Sequence, residues 1–149
     1  MIFEMRRPSR IFFVCAFAVC FFGCNASVRR SGIPAGAQAA LQEAIDDIDA
    51  ARYDKLYNEA SDEWRGQSSL EDSKATLQRL SDKLGKARTR SQETAREEQT
   101  STGPVAGHSV VVIYQTTFDR GEAIETFTLV EHGGRWALAK YYVSSSALR

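Results

Sequence analysis

Few side chains in this sequence have the type and placement for chemistry. His108 and His132 are its two histidines, and they stand far apart. A protein metal site takes three or four ligands at close range, so two scattered imidazoles read as exposed loop residues. Glu125 interrupts a stretch of β-branched and aromatic residues, on the same face as Ala123, Phe127 and Leu129 by period-two alternation. A carboxylate there would serve as a general base if burial raised its pKa, or as half of an ion pair. Tyr114, Trp136, Tyr141 and Tyr142 offer rings with a polar tip, suited to lining a pocket or to filling a core. Tyr114, Glu125, Trp136 and Tyr142 are the candidate pocket residues. Ser144, Ser145 and Ser146 have no histidine placed to activate them. The glycines of the second half are scattered at turns rather than gathered in a phosphate loop. The acidic run Asp46, Asp47, Asp49 lacks calcium-loop spacing and falls within a helical pattern, so it reads as a solvated face. These residues predict no catalytic group, no metal and no cofactor; Glu125 is the least weak catalytic candidate.

The other reactive atom is a sulfur. Cys15 and Cys20 lie inside the apolar run from Ile11 to Phe22, Cys24 closes it, and no cysteine follows. A short basic start, a short apolar stretch and a small residue before a cut describe a secretory signal. The run is shorter than the roughly 20 apolar residues of a spanning helix. Phe21-Phe22-Gly23-Cys24 resembles a lipobox, where bacterial lipoproteins receive a lipid on the cysteine and are cleaved before it. Gly23 and Cys24 match that pattern, whereas Phe21 and Phe22 depart from its usual leucine and small residue. Asn25 resembles the outer-membrane default of Gram-negative lipoproteins. The resemblance implies residues 1–23 as a signal peptide, lipid on Cys24, and residues 24–36 as a flexible tether rich in Gly, Ser and Pro. A single thiol in the mature chain permits no internal disulfide.

Positioning falls to residues 37–149, enough for one domain with its own core. Leu41, Ala44, Ile45 and Ile48 follow helical spacing, and Tyr53, Leu56, Tyr57, Ala60 and Trp64 form a second stripe after a break near residues 50–52. Gly66 is expected to end that segment. Ser69 with Asp72 predicts a capped start to a helix faced by Leu77, Leu80 and Leu84, with Gly85 as its stop. Residues 87–97 read as a polar edge strand kept soluble by Arg88, Arg90, Glu93 and Arg96, and residues 100–107 as a loop. Three strands then follow over 109–118, 123–131 and 135–144, joined by tight turns at Asp119-Arg120-Gly121 and His132-Gly133-Gly134. The prediction is an α+β fold, with N-terminal helices packed on an antiparallel sheet of three to four strands.

Tyr114-Gln115-Thr116-Thr117-Phe118, Glu125-Thr126-Phe127-Thr128-Leu129, Gly134-Arg135-Trp136-Ala137-Leu138 and Tyr141 resemble a bacterial family of secreted domains of unknown function, the one numbered 4019. Arg52 to Tyr57 and Leu84-Gly85 fit the same scheme. The resemblance implies a cystatin-like roll, as in nuclear-transport-factor-like domains, and implies no catalytic residues. The chain carries 19 basic and 19 acidic residues, and no basic patch points to nucleic acid. The expected role is a non-enzymatic envelope lipoprotein held on the membrane through Cys24, facing the periplasm from the outer membrane in a Gram-negative cell, its domain either binding an envelope protein or serving a structural role at the cell surface. The alternative is a small-ligand module using the pocket of the roll.

Overall fold

The computed structural model describes residues 30–100 and 105–149. Cys24, the expected signal peptide and the first part of the expected tether lie outside the described residues, as do residues 101–104 of the expected loop. The order is β1 (Arg30–Ser31), α1 (Ala35–Asp49), α2 (Tyr53–Glu59), α3 (Asp62–Gln67), α4 (Leu70–Leu84), β2 (Ala87–Thr100), β3 (Gly107–Phe118), β4 (Gly121–His132) and β5 (Arg135–Ser144), closed by a short 3-10 turn (Ser146–Leu148). The helices precede the four long strands, as the change of hydrophobic period requires: the fold is α+β. Four long antiparallel strands form the sheet in chain order, and β1 adds a two-residue rung to β2 at Arg96 and Glu97. Within the tether expected to run to residue 36, Arg30–Ser31 pair with β2 and α1 begins at Ala35. Among the described residues, no helix is long and apolar enough to cross a membrane.

The helices bury the faces their spacing marks. Leu41, Ala44 and Ile45 of α1 meet Tyr53 and Leu56 of α2 and the inward residues Val110, Val112, Phe127, Leu129 and Leu138 of the sheet. A smaller cluster joins Leu84 of α4 to Ala123 and Val143. Ser69 caps α4 by accepting a 3.1 Å bond from the Asp72 amide. Gly85 ends α4 at φ +76°, and a Cβ there would lie 2.6 Å from Asp119 Cβ, so both conformation and contact demand glycine. Gly133 and Gly134, at φ +60° and +82°, supply the two positive dihedrals of the β4–β5 turn.

Two expectations fail locally. The second helical stripe is not one helix: Ala60 and Ser61 are extended, because the Ser61 amide leaves the helix to donate to the Leu138 carbonyl of β5 at 3.0 Å. Gly66 lies inside α3 and does not end it; the chain exits at Ser68. The break after α1 is sharper than its sequence suggests. Ala51 takes φ +54°, the only positive φ outside glycine among the described residues.

A bulge in β5 sets which aromatics face inward. Leu129 pairs with Leu138 and Thr128 with Lys140, which leaves Ala139 unpaired. The extra residue flips the parity of the strand. Trp136 and Leu138 face the helices, and beyond the bulge it is Tyr141 and Val143 that do so.

Candidate functional site

Glu125 lies in the middle of β4 with no exposed surface. An ionised carboxylate in that position needs charge and hydrogen-bond partners, and four elements bring them. Oε2 accepts from Arg90 Nε at 2.7 Å and from Thr116 Oγ1 at 2.5 Å. Oε1 accepts from the Tyr141 hydroxyl at 2.5 Å and, at the limit of range, from Arg90 Nη2 at 3.4 Å. The far side of the Arg90 guanidinium donates to both oxygens of Asp49, the last residue of α1, at 2.6 and 2.8 Å. Asp49, Arg90, Thr116, Glu125 and Tyr141 thus form one chain of bonds from the helical layer through β2 and β3 to β4 and β5. Antiparallel register explains the convergence: Arg90 stands opposite Thr116, and Tyr114 opposite Glu125.

Burial alone would pull the Arg90 pKa down, but its bonds to Asp49 and Glu125 outweigh that and push it up. Burial first, and then the adjacent Glu125 charge, hold the Tyr141 phenol far above the usual tyrosine range. Tyr141 is therefore a fixed donor and Arg90 a permanent cation. With both Glu125 oxygens already accepting two bonds, the cluster is built to hold the sheet to α1. Tyr141, at its margin, also lines a cleft of about 140 Å³ beside Asp49, Leu80, Leu84 and Phe118. Arg90 and Tyr114 border a polar hollow of about 360 Å³ with Gln42 and Asp46.

The four candidate pocket residues do not share one pocket. Tyr114 and Glu125 are cross-strand neighbours on the inner face. Trp136 lies at the other end of the sheet, where its ring meets His108 edge-on at 4.8 Å and covers Gly36. Tyr142 is on the outer face, 57% exposed, on the side to which the bulge turns it.

Other residues take roles that sequence reasoning missed. Asp47 is buried, not part of a solvated face, and accepts from Arg52 Nε at 2.7 Å and Lys55 Nζ at 2.9 Å. Asp49 is tied to Arg90, whereas Asp46 meets the surface residue Gln42, its one side-chain partner among the described residues. The carboxylates of Glu43, Asp47 and Glu59 have oxygens within 4.8 Å of one another, a spacing that could hold a metal ion. Lys55 Nζ already supplies the cation, bonding them at 2.6, 2.9 and 2.8 Å. Those bonds, to Glu43, Glu59 and Asp47 in that order, push the lysine pKa up. The histidines are on strands rather than in loops. His108 lies between Glu131 at 2.5 Å from Nδ1 and Glu97 at 2.5 Å from Nε2, and His132 meets Glu63 at 2.7 Å.

The family model described as a protein of unknown function (DUF4019) matches residues 39–141, which include every member of the Glu125 cluster. No curated protein matches the chain.

Proposed function

We propose, for a chain that belongs to the DUF4019 family, that it is a lipid-anchored envelope lipoprotein whose domain binds a partner protein through the outer face of its sheet. One observation carries the reading. The rows Thr94–Ile113–Thr126–Tyr142 and Arg96–Val111–Thr128–Lys140 run across four strands on that face. With Ile124 they make a β-branched surface with an aromatic edge, and none of these residues belongs to either core cluster. Ile124 and Tyr142 are its exposed large hydrophobics, at 37% and 57%. Exposed apolar surface of this kind marks interaction sites. The charges within these rows, Arg96 and Lys140, are basic, and Glu98 and Glu122 lie just beyond them on the same face, so the partner that fits presents an apolar patch bordered by charges of both signs.

The anchor reading rests on Cys24, the lone cysteine after the apolar run. Two or more acyl chains on it would hold the domain at a bilayer stably. Five residues, and so six chain steps, separate Cys24 from Arg30 of β1. Fully extended they span about 20 Å, so the partner would itself be at or in the membrane.

A photo-crosslinking amino acid at position 142, in cells, tests the partner reading. The expected product is one discrete adduct with a different protein, lost when Ile124→Asp is added and absent when the crosslinker replaces Gln42 on α1. No adduct, or one at twice the mass of the chain, overturns it. Cys24→Ser tests the anchor: the variant should leave the membrane fraction, and its full retention there would overturn lipidation.

A further inference from the structure

Helix α4 is fastened at both ends. Near its start, Lys74 Nζ bonds both Asp54 oxygens at 2.9 and 2.8 Å, and Trp64 Nε1 donates to Ser73 Oγ at 3.0 Å. At its end, the Arg120 amide donates to the Leu84 carbonyl at 2.9 Å, and Lys83 Nζ to the Leu148 carbonyl at 3.3 Å. Beneath the middle of the helix the packing is open. One cleft of about 140 Å³ lies toward Ile48, Leu84 and Phe118, and a second of about 180 Å³ toward Trp64, Thr76 and Ala139. Leu77, Leu80 and Tyr141 border both.

Leu80, Ile48 and Phe118 are only partly covered, so the clefts keep apolar wall in contact with water, which a hydrocarbon occupant would relieve. A cavity of about 150 Å³ lined by Leu, Ile and Phe takes up benzene. Two clefts of that order, bordered in common by Leu77, Leu80 and Tyr141, suit a longer and narrower shape than a ring. The polar end is also specified. At the mouth of the first cleft, Asp49 is already held by Arg90, and Lys86 is exposed there, its ammonium in no ion pair among the described residues.

We infer that the space beneath α4 binds a single unbranched alkyl chain with an anionic head, the tail along Leu80, Leu77 and Tyr141 and the head at Lys86. The chemistry is shared by free fatty acids and by the acyl chains of anionic lipids. The site shares only Lys140, at the border of the second cleft, with the face proposed to bind a protein, and its test is separate from that reading.

The test uses the full chain in isolated membrane vesicles and a diazirine-bearing palmitate, offered free in one arm and esterified in phosphatidylglycerol in the other. Mass spectrometry should place the label on Leu77, Leu80 or Tyr141 in one arm at least, and the productive arm names the source. Leu80→Trp, which adds bulk where both clefts are bordered, should cut labelling at least tenfold with an unchanged circular dichroism spectrum; if that variant misfolds, Leu77→Phe serves in its place. Dodecanoate should displace the label and dodecyltrimethylammonium should not, and Lys86→Glu should erase the difference. Absence of label from the cleft in both arms, labelling insensitive to the filling variants, or equal displacement by the cation overturns the inference.

Discussion

Arg90 on β2 donates from Nε to the fully buried carboxylate of Glu125 on β4 at 2.7 Å, across 35 positions of sequence and with β3 between them. The pair lets a charge occupy the centre of the sheet, and its other bonds, to Asp49, reach the helical layer.

Removing one partner should therefore cost far more than removing both. Arg90→Met leaves Glu125 buried without its cation, which should lower unfolding free energy by about 3–5 kcal/mol, a large fraction of a small domain's stability. Glu125→Leu in the same background removes the orphaned charge and should recover most of that loss. Urea unfolding of the two single variants and the double variant checks this. Equal losses in Arg90→Met and in the double variant would show that the ion pair is not what the core depends on.

How far such a cluster can be read from sequence depends on whether alternation survives. In β4 it does: Ala123, Glu125, Phe127 and Leu129 share one buried face, and their spacing shows it. In β2 it does not, because bulges at Ala87/Thr89 and Gln92/Thr94 break the parity, and charges occupy both faces. Arg90 therefore looks like any other solubilising residue of an edge strand. The β5 bulge hides the exchange of Tyr142 for Tyr141 in the same way. The turn at Ala60 and Ser61 is invisible for a different reason. Leu56, Tyr57, Ala60 and Trp64 keep helical spacing across it, and the carbonyl that breaks the helix belongs to Leu138, far along the chain. Asp47 and Asp49 look solvated because a helical pattern gives the angle of a side chain but not the distant cation that meets it. The caps at Ser69 and Gly85 are local, and both are legible.

Ala51 joins α1 to α2 at φ +54°. A left-handed conformation costs an L-residue roughly 1–2 kcal/mol, part of which glycine returns as extra freedom in the unfolded chain. Ala51→Gly should stabilise the protein by about 0.5–1 kcal/mol and raise Tm by a few degrees. A fall in Tm would mean that the methyl group makes a contact worth more than the strain.

His108 bridges β2 and β4 through Glu97 and Glu131. Its bonds to Glu131 and then Glu97 raise its pKa above the usual imidazole value, and Trp136 on β5 meets the ring edge-on. With the folded pKa above the unfolded one, the contribution is fully present below the unfolded value and is lost as pH rises through the folded value. Imidazole resonances followed by NMR should titrate above the free-histidine midpoint of about 6.5. Wild type should lose more stability than His108→Gln over the alkaline side of that window. A midpoint at or below the free value would remove the bridge from the account of stability.

Lys55 holds together three carboxylates that would otherwise repel one another. Lys55→Ala removes the cation but leaves Glu43, Asp47 and Glu59 with oxygens within 4.8 Å, a spacing a hard divalent ion can use. Arg52 still contacts Asp47, so the buried acid is not wholly orphaned. The variant should melt at lower temperature than wild type, and millimolar calcium should restore part of the loss, because an ion that binds only the folded state stabilises it by mass action. Wild type, with the lysine already in place, should show no calcium dependence. Thermal melts of both proteins with calcium and with chelator decide it: a wild type that calcium stabilises would mean the ammonium yields its place to a metal, and a variant indifferent to calcium would mean the three acids move apart once the lysine is gone.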